Sequence, residues 1–191
     1  YDPNRQMPVH YFALPDTYMM HTFTTGGMCL RWFRDAFCQS EIGLQDATGL
    51  DSYYLMDREA ERIPAGSDGL ITLPHLQGSM APDVNLNAKG IFYGATLKHG
   101  KAHFIRSIME SLGYLICRNL EAIDAMGLEV AQIRTMGGGS KSDLWNQIKA
   151  DITGKTLHVT YSSQDTACLG AAILAGTAVG SFESVEAAVD A

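Results

Sequence analysis

From residue 131 onward the chain keeps changing period, and this restricts its fold more than any other feature. Residues 131–136 read as a strand, 140–152 as a helix, 156–160 as a strand and Thr166–Ala178 as a second helix. Two successive strands separated by a helix form a crossover, and helices so placed pack on the face of a sheet. The expected class is therefore α/β. Upstream, Phe104, Ile108, Leu112, Leu115, Ile116, Leu120 and Ile123 keep one helical face apolar, predicting a helix over 101–125. Leu30, Phe33 and Phe37 predict another over 28–38, and a short one is expected over 52–62, stopped by Pro64. Short strands are expected at 9–13, 18–25, 70–73 and 91–95, whereas residues 39–51 carry no clear period.

A length of 191 residues suits one domain, and a hydrophobic content of 46% is that of a globular chain. The formal charge is −7, and the fourteen Lys and Arg residues do not cluster. A nucleic acid backbone needs a basic face, and anionic lipid would repel this chain, so neither is an expected partner. The longest small-apolar run, 167–179, is broken by Gly170, Gly176 and Thr177 and falls short of a bilayer's width. Cys29, Cys38, Cys117 and Cys168 show no C-x-x-C spacing and are expected as free, buried or half-buried thiols in a reducing, cytoplasmic setting. The chain begins at Tyr1 rather than Met, which is expected of a protein whose upstream part is missing.

Gly137-Gly138-Gly139-Ser140-Lys141-Ser142 falls where a predicted strand meets a predicted helix. Without a Cβ the backbone can approach a ligand closely. Ser140 or Ser142 can cap the helix, and the helix N-terminus attracts an anion. A plain tight turn is the alternative. G-x-G-x-x-G is not met, because Ser142 stands at the third glycine; Gly154-Lys155-Thr156 copies the tail of a Walker A loop, but Lys149 occupies its first glycine. Asp143, in the first helical turn, would repel a terminal phosphate. A nucleotide here would therefore present its base, ribose or α-phosphate, leaving the terminal phosphates to Thr24-Thr25-Gly26-Gly27 and the helix bearing Arg31.

Four segments together resemble the FGGY family of carbohydrate kinases. Gly90-Ile91-Phe92-Tyr93-Gly94 with His103-Phe104-Ile105-Arg106-Ser107-Ile108-Met109-Glu110 is similar to its C-terminal signature, apart from Ala95 where an aliphatic residue is usual. Gly137 to Gln147, continuing through Ala150-Asp151 to Gly154, resembles its adenosine motif. Asp165 to Ala172 resembles its E-x-x-A-x-G-A-A helix, with Asp in place of Glu. Thr25-Gly26-Gly27 through Leu30-Arg31 to Asp35 resembles the strand–turn–helix that approaches the phosphates. The resemblance implies a ribonuclease H-like, actin/hexokinase-type ATPase fold, with a mixed sheet and helices packed on it, across residues 1–191. It also implies ATP or ADP as cofactor, with Mg²⁺ held through phosphates. By the same resemblance Gly27 and Arg31 serve the phosphate side, and Gly137, Gly138, Gly139 and Ser142 the adenosine side. The helix from Ala167 to Gly176 would be structural, its small residues allowing close packing on the sheet.

On this resemblance the chain is the C-terminal half of an ATP-dependent kinase acting on a pentose such as xylulose, partnered by an N-terminal, sugar-binding domain; a homodimer is left open. The catalytic base is expected upstream of Tyr1, no catalytic residue is assigned within the chain, and the 191 residues alone are expected to be inactive. Xylulose kinases look nearest, although Gly78-Ser79-Met80-Ala81-Pro82 departs from their common G-E-R-T-P. A non-catalytic ATP-binding module of the actin or chaperone type, and a degenerate kinase serving as a sugar sensor, are the alternatives. His99 and His103 share a helix face without a third metal ligand, and no protein metal site is assigned. Asp57, Glu59 and Glu61 are expected on a solvated helix face, and Trp32 and Trp145 in the core, with a wall of the adenine slot as the other reading for either tryptophan.

Overall fold

The computed structural model describes residue 2 and residues 6–20, 26–160 and 165–189. The central element is α4 (Lys101–Asp124), which enters the core along most of its first half: Ile105, Ile108 and Met109 are fully buried, and Leu112 nearly so. Three shorter helices pack around it. The first is α1 (Gly26–Phe37), which begins two residues before its predicted start and takes in both glycines. The others are α3 (Ser52–Ala60) and α5 (Asp143–Thr153). Cys29, Leu30 and Phe33 from α1, Met56 and Ala60 from α3, and Trp145 and Ile148 from α5 close on the α4 stripe to make one apolar core. Burial of this kind is what holds amphipathic helices together. Phe33 and Phe104 stack with centroids 6.3 Å apart, joining α1 to α4. At Gly113 the Ile152 side chain of α5 packs so tightly on the α4 backbone that a Cβ would lie 2.6 Å from its Cδ1.

Residues 39–48, which show no period in the sequence, form α2 (Gln39–Thr48). Its buried residue is Glu41, so the inward face is marked by a charge rather than by an apolar repeat. That carboxylate meets the Lys101 ammonium, which also lies 3.2 Å from Glu59 of α3, so one lysine ties three helices together.

The strands pair in twos among the described residues. β1 (Val9–Tyr11) is antiparallel to β2 (Tyr18–Met20), and β3 (Ile71–Leu73) is antiparallel to β4 (Ile91–Tyr93). β5 (Gln132–Thr135) and β6 (Thr156–Val159) are parallel, with Gln132 opposite Thr156, and α5 is their crossover. The rest of the strand predicted over 18–25 lies outside the described residues. α6 (Thr166–Ala178) has its predicted bounds, and a short α7 (Val185–Val189) follows it. None of the α6 residues is buried. Its small residues have a visible use at Gly176, where an added Cβ would press to 2.6 Å from the Phe182 ring. Among the described residues no helix is long and apolar enough to cross a membrane.

Glu110 is the polar anchor within this core. Its carboxylate accepts from Gly66 N at 3.0 Å, Ser67 Oγ at 2.9 Å and Arg106 Nε at 2.8 Å, while the residue is only 3% exposed. These bonds hold the 66–69 turn, in which Ser67 and Asp68 adopt left-handed φ values of 49° and 54°. Non-glycine residues occupy that region only when surrounding contacts fix them there.

Candidate functional site

The helix predicted over 140–152 is interrupted at its start. A single 3₁₀ turn (Gly138–Lys141) precedes α5, and Ser142, rather than Ser140, is the N-cap, its hydroxyl accepting from Trp145 N at 3.0 Å. The bend itself rests on Gly137, whose φ of 81° and ψ of −174° lie in a region that glycine alone occupies readily. Beneath the bend runs a buried polar relay. Lys149 Nζ donates to Asn146 Oδ1 at 2.9 Å, Asn146 Nδ2 donates to Ser140 O at 2.7 Å, and Ser140 Oγ donates to Gly137 O at 2.7 Å. Trp145, 4% exposed, is pinned by its indole N–H to Met109 O at 2.9 Å. The relay gives the glycine bend one conformation. Burial also pulls the Lys149 ammonium down to about 8.

The bend forms one wall of a cleft of about 580 Å³, a size suited to a small organic ligand. Gly138, Gly139, Lys141, Ser142 and Trp145 line this wall; Gly27, Met28, Leu30 and Arg31 of α1 line another. Gly137 is not among the lining residues. Five of the six expected binding residues, Gly27, Arg31, Gly138, Gly139 and Ser142, thus face a common space, although Gly27 and Gly138 are more than a hundred residues apart in the chain. A Cβ built at Gly27 or Gly138 meets nothing within 4 Å, so these two positions leave room where a ligand would sit. A Cβ at Gly139 would lie 3.1 Å from Trp145 Cζ3, so that glycine serves the packing of the indole. Arg31 is largely solvent-exposed and only loosely paired with Asp35, at 3.8 Å.

The third wall was not expected. It comes from α3 and its cap: Asp51, Tyr53, Tyr54 and Asp57. Asp51 caps the helix by accepting from Tyr53 N at 2.9 Å. The reading of Asp57, Glu59 and Glu61 as one solvated face is corrected here. Residues 57 and 59 point inward on a helix with a 3.6-residue turn, one to the cleft and the other to Lys101, and only Glu61 is left on the solvent side, beside Arg58. Burial lifts the Asp57 carboxyl above its usual range. A hydrogen bond with Ser142 acts against that lift, while Asp51, Asp143 and Glu61 add to it.

Trp32, expected in the core, is 40% exposed and leans edge-on against Phe37, whereas Trp145 is both core and cleft wall. His99 accepts from Thr96 N at 2.8 Å through Nδ1, and His103 Nε2 lies 3.3 Å from Asp68 Oδ2. Among the described residues no group of three His, Cys, Asp or Glu side chains is placed to hold a metal. The four cysteines are free; Cys168 is exposed rather than buried.

Comparison with known proteins places this geometry in a family. Residues 3–179 match the C-terminal domain of the FGGY family of carbohydrate kinases. A gluconokinase of Bacillus licheniformis is 39% identical over 166 residues, covering 86% of this chain and 32% of that protein. An autoinducer-2 kinase of Salmonella paratyphi A is 35% identical over 191 residues, covering 96% of this chain and 35% of that one. A ligand-bound xylulose kinase structure from Lactobacillus acidophilus superposes with a TM-score of 0.76 at 26% identity, over 96% of this chain and 35% of that one. The chain thus spans about a third of the length of these relatives, and its fold is the actin/hexokinase-type ATPase fold of such kinases. It belongs to the FGGY family of carbohydrate kinases, and the match is to the family's C-terminal domain.

Proposed function

We propose that this domain forms the nucleotide-side wall of an ATP-dependent carbohydrate kinase, which transfers the γ-phosphoryl group of MgATP to a hydroxyl of a small polyhydroxylated acceptor. The observation that supports this reading is the shared cleft: bare main chain at Gly27 and at Gly138 faces one space, with Arg31 on the α1 side and Ser142 on the α5 side. An uncluttered backbone admits a flat base and an anionic chain at close range, and the guanidinium of Arg31 supplies positive charge for phosphate oxygens. Phosphoryl transfer depends chiefly on positioning and charge neutralisation, so a rigid wall of this kind contributes to it without donating a base.

The residues fit such a nucleotide. Arg31 and Gly27 would take the β- and γ-phosphates, and Gly138, Gly139 and Ser142 the adenosine. Mg²⁺, when bound, would neutralise phosphate charge and be carried by the phosphate oxygens. We assign no base for the acceptor's proton among the described residues. Within them, the Asp2 carboxylate accepts from Gln6 N and Met7 N, and Asp35 pairs with Arg34. A pentose such as xylulose and the sugar acid named by the gluconokinase relatives are the first acceptors to test.

Calorimetric titration with ADP and a coupled phosphorylation assay over an acceptor panel test the reading together. Binding of ADP that is lost on replacing Gly138 by valine supports it. Sugar phosphorylation by the 191 residues alone, or the absence of ADP binding by the wild-type protein, refutes it.

A further inference from the structure

We propose that Asp57 reads a hydrogen-bond donor on the nucleoside and thereby decides which nucleosides the cleft accepts; this inference rests on the nucleotide reading above. Asp57 lines the cleft from α3, a helix outside the glycine bend and outside α1. It shares the cleft lining with Ser142, whose hydroxyl accepts from Trp145 N and so keeps its own proton to give. Ser142 is thereby oriented before any ligand arrives. A half-buried carboxylate accepts hydrogen bonds and repels other acceptors, and burial raises the cost of leaving it without a donor.

The charges around the cleft say which part of a nucleotide meets it. Asp57 stands near Asp51, Asp143 and Glu61, so this end repels phosphates. Two cations also line the cleft, Lys141 on the glycine bend and Arg31 on the α1 wall, and Arg31 is the one whose wall carries none of these acids. A nucleotide laid between them turns its phosphates to α1 and its nucleoside to α3 and α5. Two kinds of donor then come within reach of a carboxylate: the exocyclic amine of adenine and the hydroxyls of ribose. They share one chemistry and are separable by analogues. Inosine carries a carbonyl where adenosine has the amine, and the 2′-deoxy and 3′-deoxy nucleotides each lack one hydroxyl. A site that offers a buried acceptor rejects a ligand lacking the matching donor more strongly than an apolar pocket does.

The test is a calorimetric titration of the wild-type protein, Asp57→Asn and Asp57→Ser with ADP, IDP, 2′-deoxyADP and 3′-deoxyADP. Thermal unfolding of each protein confirms that it is folded. The expected result is that wild type prefers ADP over IDP, or over a deoxy analogue, by about tenfold or more. That preference should fall to about twofold or less in both variants, while the disfavoured analogue binds as well as before. Which analogue is rejected tells base from sugar. If wild type binds all four alike, if the preference survives both substitutions, or if the variants lose all four in parallel, the role of Asp57 is overturned and the nucleotide reading stands. Failure of wild type to bind ADP overturns both.

Discussion

The three glycines at 137–139 are there for three different physical reasons, and replacing them one at a time separates fold from binding. Gly137 sits at φ 81°, ψ −174°, so Gly137→Ala forces an L residue into a region that costs on the order of 1–3 kcal/mol. For a domain of this size each kcal/mol lowers Tm by about 2–4 °C, so a fall of roughly 3–10 °C is expected. Gly138 has neither a left-handed φ nor any atom within 4 Å of an added Cβ. Gly138→Val should therefore melt within about 2 °C of wild type. Its branched side chain enters the cleft, and overlap with a bound ligand is expected to cost about 1–3 kcal/mol, a fall in ADP affinity of about fivefold or more. Gly139→Ala brings a methyl group to 3.1 Å from Trp145 Cζ3. The indole cannot withdraw without breaking its bond to Met109 O, so a loss of about 1 kcal/mol is expected. Thermal unfolding without nucleotide and calorimetry with ADP give the two readouts. Unchanged ADP affinity in Gly138→Val would remove the bend from the binding site. A Gly137→Ala protein as stable as wild type would refute the backbone argument.

Arg31→Ala should weaken ATP binding about tenfold and leave adenosine binding within about twofold, read by competition titration; equal losses would contradict a phosphate-side role. Lys149 has a folded value of about 8, below its ordinary 10.5, so the unfolded chain holds a proton that the folded one sheds. Wild-type stability should therefore rise relative to Lys149→Met as pH climbs from about 8 to about 10.5, by about 3 kcal/mol in all; parallel pH curves in urea unfolding would disprove the depressed value. Glu110→Ala strands the Arg106 guanidinium and frees the 66–69 turn, and should cost about 3–5 kcal/mol; a Tm change under about 3 °C would show that the anchor is dispensable.

What could be read from the residues alone follows from how each element announces itself. α4 and α6 are long, and an apolar or small-residue run marks their bounds without tertiary help. α2 has no such mark, because its inward face is signed by Glu41, whose partner Lys101 is sixty residues away. The charged triplet at 57, 59 and 61 misleads for the same reason: Asp57 is turned to a cleft and Glu59 to a lysine that distant parts of the sequence supply, while Glu61 pairs with neighbouring Arg58. The glycines of both cleft walls were legible as local signals, although Gly26 and Gly27, expected in a turn, open α1. Their common cleft was legible only through the family resemblance, since no local pattern links residue 27 to residue 138. The third wall escaped notice, although Asp51 before an aromatic pair is a recognisable cap.

Both banks of the cleft are footed on one pillar. Phe33 fastens α1 to the α4 rod at Phe104, and the Trp145 indole fastens α5 to it at Met109. The gap between the banks is therefore gauged by the girth of a few α4 side chains, Ile105, Ile108 and Met109 among them, none of which touches the opening. A methylene trimmed from that rod would narrow the span as surely as a residue added to its rim, so the choice of core residues in this domain is also a choice of aperture.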